Sequence, residues 1–303
     1  MEGKGIIVMK YIPAKTIISG YTAKNNWFDI NYNMNIYKGC CHGCIYCDSR
    51  SECYGIDNFH EVRAKDNALV LIRRELKSKR RTGVIGTGAM SDPYNPLEKE
   101  HCLTRGALEL INGHGFGVSI ATKSNLITRD LDILKEIQKH SPVLVKISIT
   151  TYDDELCKKI EPNVAVSSKR FEAIRELTKE GIFVGILLMP VLPFLEDNEE
   201  NIKGIVELAY ESGAKFIYPA FGVTLRQNQR DWYYKKLDEK FKGTKEKYIN
   251  CFGNNYSCYS PRAKVLWKLF KKECEGFGIF YKMEDIIAGY RKPYINSQLS
   301  FLK

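Results

Sequence analysis

The sequence predicts an α/β protein: a partial (β/α)6 barrel of the TIM type, with an N-terminal extension and a C-terminal helical cap. Three features of the chain predict it. Between residues 33 and 240, short β-like runs alternate strictly with longer amphipathic segments, the pattern of parallel strands joined by helices. No G-x-G-x-x-G follows the first strand candidate, which weighs against a doubly wound sheet. Polar residues gather just after the strand candidates, where a barrel carries its functional side chains. The 303 residues suit one such barrel with additions, divided as 1–32 (extension), 33–240 (barrel) and 241–303 (cap and tail).

Taken in order, residues 33–37 form the first strand candidate and lead into a dense cysteine stretch. Residues 67–80 carry apolar side chains at 68, 69, 71, 72 and 76, a helical spacing. Val84 and Ile85 run into the turn Gly86-Thr87-Gly88, and residues 104–112 read as helix. Strand and helix then alternate as 117–122, 131–139, 143–150, 168–180, 182–189, 199–211 and 216–218. For the 168–180 helix, Ser167 is the expected N-cap and Gly181 the C-terminal stop. Residues 252–261, rich in Asn, Tyr and Ser, read as loop. The helix over 261–275 has Val265, Leu266, Leu269 and Phe270 on one side and Lys264, Lys268, Lys271 and Lys272 on the other.

An apolar share of 44% and a charged share of 27% exclude a disordered or fibrous chain. The net charge of +10 favours a polyanionic partner such as nucleic acid. No stretch approaches the roughly 20 apolar residues of a membrane span, and residues 1–20 show no cleavage pattern. A cytoplasmic location with reduced cysteines is expected. Cys53, Cys102, Cys157, Cys251, Cys258 and Cys274 lack ligand spacing and read as packing.

The chemistry is expected in Gly39-Cys40-Cys41-His42-Gly43-Cys44-Ile45-Tyr46-Cys47, which holds four of the ten cysteines. Cys40, Cys44 and Cys47 have C-x3-C-x2-C spacing. Three thiolates on one tight loop can hold three irons of a [4Fe–4S] cluster and leave the fourth iron open. The alternative is structural zinc, for which Cys41 or His42 would supply the fourth ligand from inside the same loop, a poor tetrahedral geometry.

With Tyr46 just before the last cysteine, this stretch resembles the radical S-adenosylmethionine (SAM) superfamily. Within it, the chain is similar to the spore photoproduct lyase-like branch, often labelled DNA repair photolyases. The likeness spans roughly residues 33 to 225 and rests on residues 39–47, residues 86–92 followed by Pro93-Tyr94-Asn95-Pro96, Thr122-Lys123, and Glu161-Pro162 with Arg170. It implies that the open iron chelates the amino and carboxylate groups of SAM. One electron then cleaves the sulfonium to methionine and a 5′-deoxyadenosyl radical that removes a hydrogen atom from substrate. It also implies an electron donor of the flavodoxin or ferredoxin type. By the resemblance, Tyr46 packs on the adenine, Ser91 and Lys123 meet the methionine end, and Ser148 faces the ribose. Gly88 gives SAM room to approach. A cation at Lys123 suits the SAM carboxylate on physical grounds as well.

One departure from the family stands out. Where spore photoproduct lyase carries a hydrogen-returning cysteine in a C-x-S-D context, this chain reads Ala89-Met90-Ser91-Asp92, and alanine cannot donate that atom. Tyr94, next to Asp92, is the candidate to serve instead, and these two are the expected catalytic residues. Otherwise the reaction differs from that repair. Modification of a peptide or small metabolite, and a non-catalytic metal-stabilised binding protein, are the other readings.

For a macromolecular partner, the basic run at residues 73–81 ends a barrel helix and is expected on the face opposite the active site. The lysine face at 264–272 is the better nucleic-acid candidate. Tyr233, Tyr234, Tyr256 and Tyr259 offer stacking surfaces. The tail Gln298-Leu299-Ser300-Phe301-Leu302 resembles a sliding-clamp docking peptide with its last two apolar residues exchanged.

Overall fold

The computed structural model describes residues 9–21 and 27–295. Its spine is six parallel strands: β1 (Tyr32–Met34), β2 (Val84–Thr87), β3 (Gly117–Thr122), β4 (Val143–Ser148), β5 (Phe183–Leu188) and β6 (Ile217–Pro219). They pair in chain order, each with the next. A strand order that never reverses has no topological switch point, so the sheet is a curled barrel and not a doubly wound one. A short strand, Ile18–Gly20, adds antiparallel to β1 at the far edge.

Five helices cross over between the strands: α1 (Ala68–Ser78), α2 (Leu103–Gly113), α3 (Leu131–Gln138), α4 (Ser167–Lys179) and α5 (Glu199–Glu211). Alternation along each strand divides the molecule into two layers. On β4, Val143, Val145 and Ile147 pack with the helices in the main core, while Leu144, Lys146 and Ser148 face the barrel interior. The floor of the barrel is aromatic. Phe28 is fully buried against Leu144, Leu187 and Phe216, and the Trp27 and Tyr218 rings meet edge-on at 5.4 Å. A helix at Met283–Ile295 seals this side, where the Tyr290 hydroxyl donates to the Phe28 carbonyl at 2.7 Å.

The crossover helices and β2 to β6 fall where the apolar periodicity places them. The first strand does not. Only Tyr32–Met34 joins the barrel; Tyr37–Lys38 pairs with Arg63–Lys65 in a separate small sheet that also contains Lys10–Ile12. The chain must leave the barrel there to present the cysteine loop. Ser167 is also not an N-cap. It is the first helical residue of α4, after an extended Val166, and its hydroxyl donates to the Thr151 carbonyl at 2.6 Å.

Contacts divide the C-terminal region by side. An antiparallel strand pair (Gly222–Thr224 with Ser257–Tyr259) and the two helices between its strands, Gln229–Lys240 and Thr244–Phe252, pack with Cys44, Ile45 and Tyr46, so they cover the cysteine loop. The helix Ala263–Phe277 packs on α5, with Leu266, Phe270 and Cys274 turned into the main core. Lys264, Lys268, Lys271 and Lys272 are exposed along that outer wall, not at the pocket, so this corrects the nucleic-acid surface expected there. Among the described residues, no helix is long and apolar enough to cross a membrane. The clamp-like peptide at 298–302 lies outside the described residues.

Candidate active site

The cysteine stretch forms a loop with almost no regular structure, so its backbone groups need partners from elsewhere. They find them on four sides. Cys40 N–H donates to the Phe59 carbonyl at 2.7 Å, and Ile45 N–H to the Ile160 carbonyl at 3.0 Å. Asn163 Nδ2 donates to the Cys41 carbonyl at 2.9 Å, and Gln229 Nε2 to the Tyr46 carbonyl at 2.9 Å. The Ser91 hydroxyl donates to the Gly39 carbonyl. Gly39 itself has φ +84°, and a Cβ there would overlap the Glu61 carbonyl oxygen, so only glycine fits.

The loop closes one side of a cavity of about 400 Å³ at the C-terminal ends of the strands. Cys40, Cys44 and Cys47 line it, and Cys41 does not; Cys41 packs half-buried against the main core. Every residue expected to hold SAM lines it too: Tyr46, Gly88, Ser91, Lys123 and Ser148. His42, the other residue considered as a fourth zinc ligand, turns its Nδ1 to Asp92 at 3.6 Å. Among the described residues, no three such groups stand at the spacing of a single metal ion.

Burial pushes the Cys40 thiol up to about 12, and Asp92 adds to it. Burial also pushes Cys44 well above the ordinary thiol range and raises Cys47. Burial thus favours the neutral thiols, and a bound metal would displace their protons. The Arg50 guanidinium lies between the rings of Phe59 (4.8 Å) and Trp232 (4.1 Å). Burial lowers its pKa, and all three cysteines act to raise it. Its Nε is buried without an acceptor. A buried cationic donor with no partner, set beside three thiols, fits a negatively charged, sulfur-rich group.

Behind the cavity lies a buried charge network that fixes Lys123 and Tyr46. Glu161 accepts from the Tyr46 hydroxyl, and its Oε2 stands 2.5 Å from Arg170 Nη2. Lys123 Nζ is 3.6 Å from Glu161 Oε1 and 5.6 Å from the centre of the Tyr46 ring. Arg170 is fully buried and also donates to the Ser148 carbonyl at 2.8 Å and the Ala165 carbonyl at 2.6 Å. Burial alone would raise the Glu161 pKa, but Arg170 and Lys123 outweigh it and hold it at about 2. Lys123 is disfavoured by burial yet raised overall, chiefly by Glu161. Tyr46 and Lys123 are thus both held at the cavity by the buried Glu161.

The two expected catalytic residues do other work. Asp92 lines the cavity, but its carboxylate already accepts from Tyr94 N–H (2.9 Å), Thr122 Oγ1 (2.7 Å) and Lys123 N–H (2.7 Å). It ties the loop after β2 to the end of β3 and is a positioning residue. Tyr94 is 1% exposed, packs in the main core and does not line the cavity; its ring reaches only the outward cleft beside Pro162 and Asn163. The burial of its ring away from the cavity lining corrects that expectation. Ala89, which has no S–H or O–H hydrogen atom to donate, does line the cavity.

Gly88 illustrates how tightly the roof is built. Its φ is +94°, and any Cβ would run into the Ala121 carbonyl oxygen. Gly88→Ala is therefore expected to destabilise the fold by roughly 2 kcal/mol or more, read as a lower urea midpoint.

Sequence reasoning missed Arg50, Gln229 and Glu196. Only the first carries a local signal, as a cation three residues beyond the last cysteine of the motif. Gln229 reaches Tyr46 from 183 positions away. Glu196 is fully buried, accepts from Leu192 N–H at 2.9 Å and is raised well above the carboxylate range by burial. Glu161 and Arg170 stood among the resembling stretches without a role.

Residues 34–209 match the family model of the radical SAM superfamily. An uncharacterized protein of Mycobacterium tuberculosis is 31% identical over 211 residues, covering 67% of this chain and 61% of the relative. An uncharacterized protein of Methanocaldococcus jannaschii is 36% identical over 171 residues, 55% of this chain and 63% of its own. The chain thus spans about three-fifths of the length of these curated relatives. Among solved structures, spore photoproduct lyase complexed with dinucleoside spore photoproduct is similar with a TM-score of 0.65 and 15% identity, over 88% of this chain and 78% of that one. A mutant of that lyase with bound AdoMet and dinucleoside spore photoproduct gives a TM-score of 0.64 at 15% identity, over 87% and 79%. At this identity the likeness is one of fold.

Proposed function

This chain belongs to the radical SAM superfamily, and from that premise we propose that it is an enzyme that cleaves SAM reductively and acts on nucleic acid. The observation that carries the first half is the convergence of Cys40, Cys44 and Cys47 with Tyr46, Lys123 and Ser148 around one cavity. The three thiols would hold a [4Fe–4S] cluster, and the buried, acceptorless Arg50 Nε fits its negative charge. Bound, cluster and SAM supply a one-electron cleavage that yields a 5′-deoxyadenosyl radical able to remove a hydrogen atom from an unactivated carbon. The protein's own part is placement. Lys123, fixed by Glu161, offers a cation for the SAM carboxylate, and Tyr46, clamped between Glu161 and Gln229, offers a ring for the adenine. The loops after β2, β3, β5 and β6, with the strand Gly222–Thr224, wall the space between. A flavodoxin- or ferredoxin-like protein would supply the electron.

The nucleic-acid half rests on the antiparallel strand pair whose first strand walls the cavity. Its outer edge exposes Tyr256 (46%) and Tyr259 (70%), and Arg226 lies 5.1 Å from the centre of the Tyr256 ring. Stacking surfaces with an adjacent cation are what single-stranded nucleic acid uses, and the net charge of +10 has the right sign. Tyr233, by contrast, is core: it is fully buried, and its hydroxyl donates to the Tyr248 hydroxyl at 2.9 Å. Anisotropy titration of short single-stranded DNA should show salt-dependent binding, with Tyr256→Ala and Tyr259→Ala each costing about 1–3 kcal/mol. Binding unchanged in both variants would remove nucleic acid from the proposal and leave SAM cleavage standing.

A further inference from the structure

Beneath the cysteine cavity lies a second one, of about 380 Å³, inside the barrel. The two share Gly88, Ala89, Ala121 and Ser148 as lining, so the partition between them is built from the smallest side chains. Into the lower cavity reaches Lys146, on the inner face of β4 and 3% exposed. Its Nζ is 2.8 Å from the Ser119 hydroxyl and 4.7 Å from the centre of the Phe28 ring. An ammonium has three donors, and these two neighbours occupy one of them and a face.

Among the described residues, no carboxylate lines the lower cavity, and the one other titratable side chain there is Tyr21. The rest of the described lining is apolar or carries amide and hydroxyl groups, among them Asn33 on β1 and Ser148 on β4. Burial lowers the Lys146 pKa, to about 7, with no opposing charge contributed by any described neighbour. Lys123, just after β3, shows the contrast: it too is buried, but Glu161 favours its charged form. A buried lysine without a counter-ion is costly to a fold and is retained where something else supplies the charge. Replaced by an apolar residue of similar length, the site would pack at least as well, so packing does not account for it.

We infer that the lower cavity seats an anionic oxygen group, carboxylate or phosphate, of the molecule acted on, with Lys146 as its cationic anchor and Asn33 and Ser148 as flanking polar groups. This rests on the reading that a substrate enters the barrel from the cysteine side. It places the anionic end of that molecule at the barrel floor and its reacting carbon beside Ala89 and Ser148, where the two cavities meet. The innermost part of the substrate is thus a charged terminus, read by one lysine on a strand.

The test uses the reconstituted protein and two probes, acetate and inorganic phosphate, each added at constant ionic strength near pH 6.5. The wild type is expected to gain roughly 2 °C or more in unfolding midpoint with at least one of them. Lys146→Met should show no gain while keeping a midpoint no lower than that of the ligand-free wild type. Surface lysines are the same in both proteins, so their contribution cancels. Acetate alone acting assigns a carboxylate; phosphate alone acting assigns a phosphate. A gain that survives in Lys146→Met, or no gain with either anion in the wild type, overturns the inference. The release of 5′-deoxyadenosine from SAM, measured on the same preparation, reports separately on the enzymatic reading: release without an anion effect sinks only the anchor, and an anion effect without release sinks only the enzyme.

Discussion

Cys40→Ala, Cys44→Ala and Cys47→Ala are each expected to lose bound iron and to lower 5′-deoxyadenosine release by at least about 100-fold, while Cys41→Ala keeps both within a few-fold. The magnitude is a lower bound, because changes even outside a ligand set commonly cost 10- to 100-fold in metal affinity or activity. The asymmetry is the informative part. All four cysteines lie in eight residues, yet only three turn into the cavity, and Cys41 is spent on the main core. A zinc site drawing on Cys41 would reverse the outcome, since that variant would then lose metal with the others. Iron and zinc content, measured on the four purified variants after anaerobic reconstitution, decides between them.

Arg170→Met is expected to cost about 3–5 kcal/mol at pH 7, the usual result of removing one partner from a buried ion pair. Glu161 would be left at 2% exposure with only the more distant Lys123 as counter-charge. Tyr46 and Lys123 both lean on Glu161, so SAM binding should weaken together with the fold. The pH dependence provides a second readout. Glu161 is held at about 2, below its ordinary 4.5, so the ionised form is the one the fold favours. Its contribution is complete above the ordinary value and is lost as pH falls from about 4.5 towards 2. The gap in urea midpoint between wild type and Arg170→Met should therefore narrow between pH 6 and pH 3. A gap of the same size at both values would mean that the pair does not work as described.

What the sequence made legible follows a physical line. The crossover helices and central strands announce themselves because burial on one stripe or both faces leaves a period in the apolar residues, as in Val143–Ser148 and Ala68–Ser78. The three cysteines proposed as ligands are legible because their spacing lies within a single loop. What was hidden depends on side chains that meet across the fold. The bonds from Thr122 and Lys123 to Asp92, and the removal of Tyr94 into the core, need the β2 and β3 loops placed side by side. Lys146 reads as an ordinary polar break in a hydrophobic strand until β4 is seen to turn that residue into the barrel. The lysine face of Ala263–Phe277 was recognised as a face, but periodicity gives no information on which layer a helix joins.

The central claim is that the loop from Cys40 to Cys47 and the residues around it form a SAM-cleaving centre. It is tested most directly by adding SAM to the anaerobically reconstituted, dithionite-reduced protein and quantifying 5′-deoxyadenosine against time. Release above that of the Cys44→Ala variant, with loss of SAM, is the predicted result. An intact cluster that binds SAM and releases none of this product, under reduction and with nucleic acid present, would contradict it.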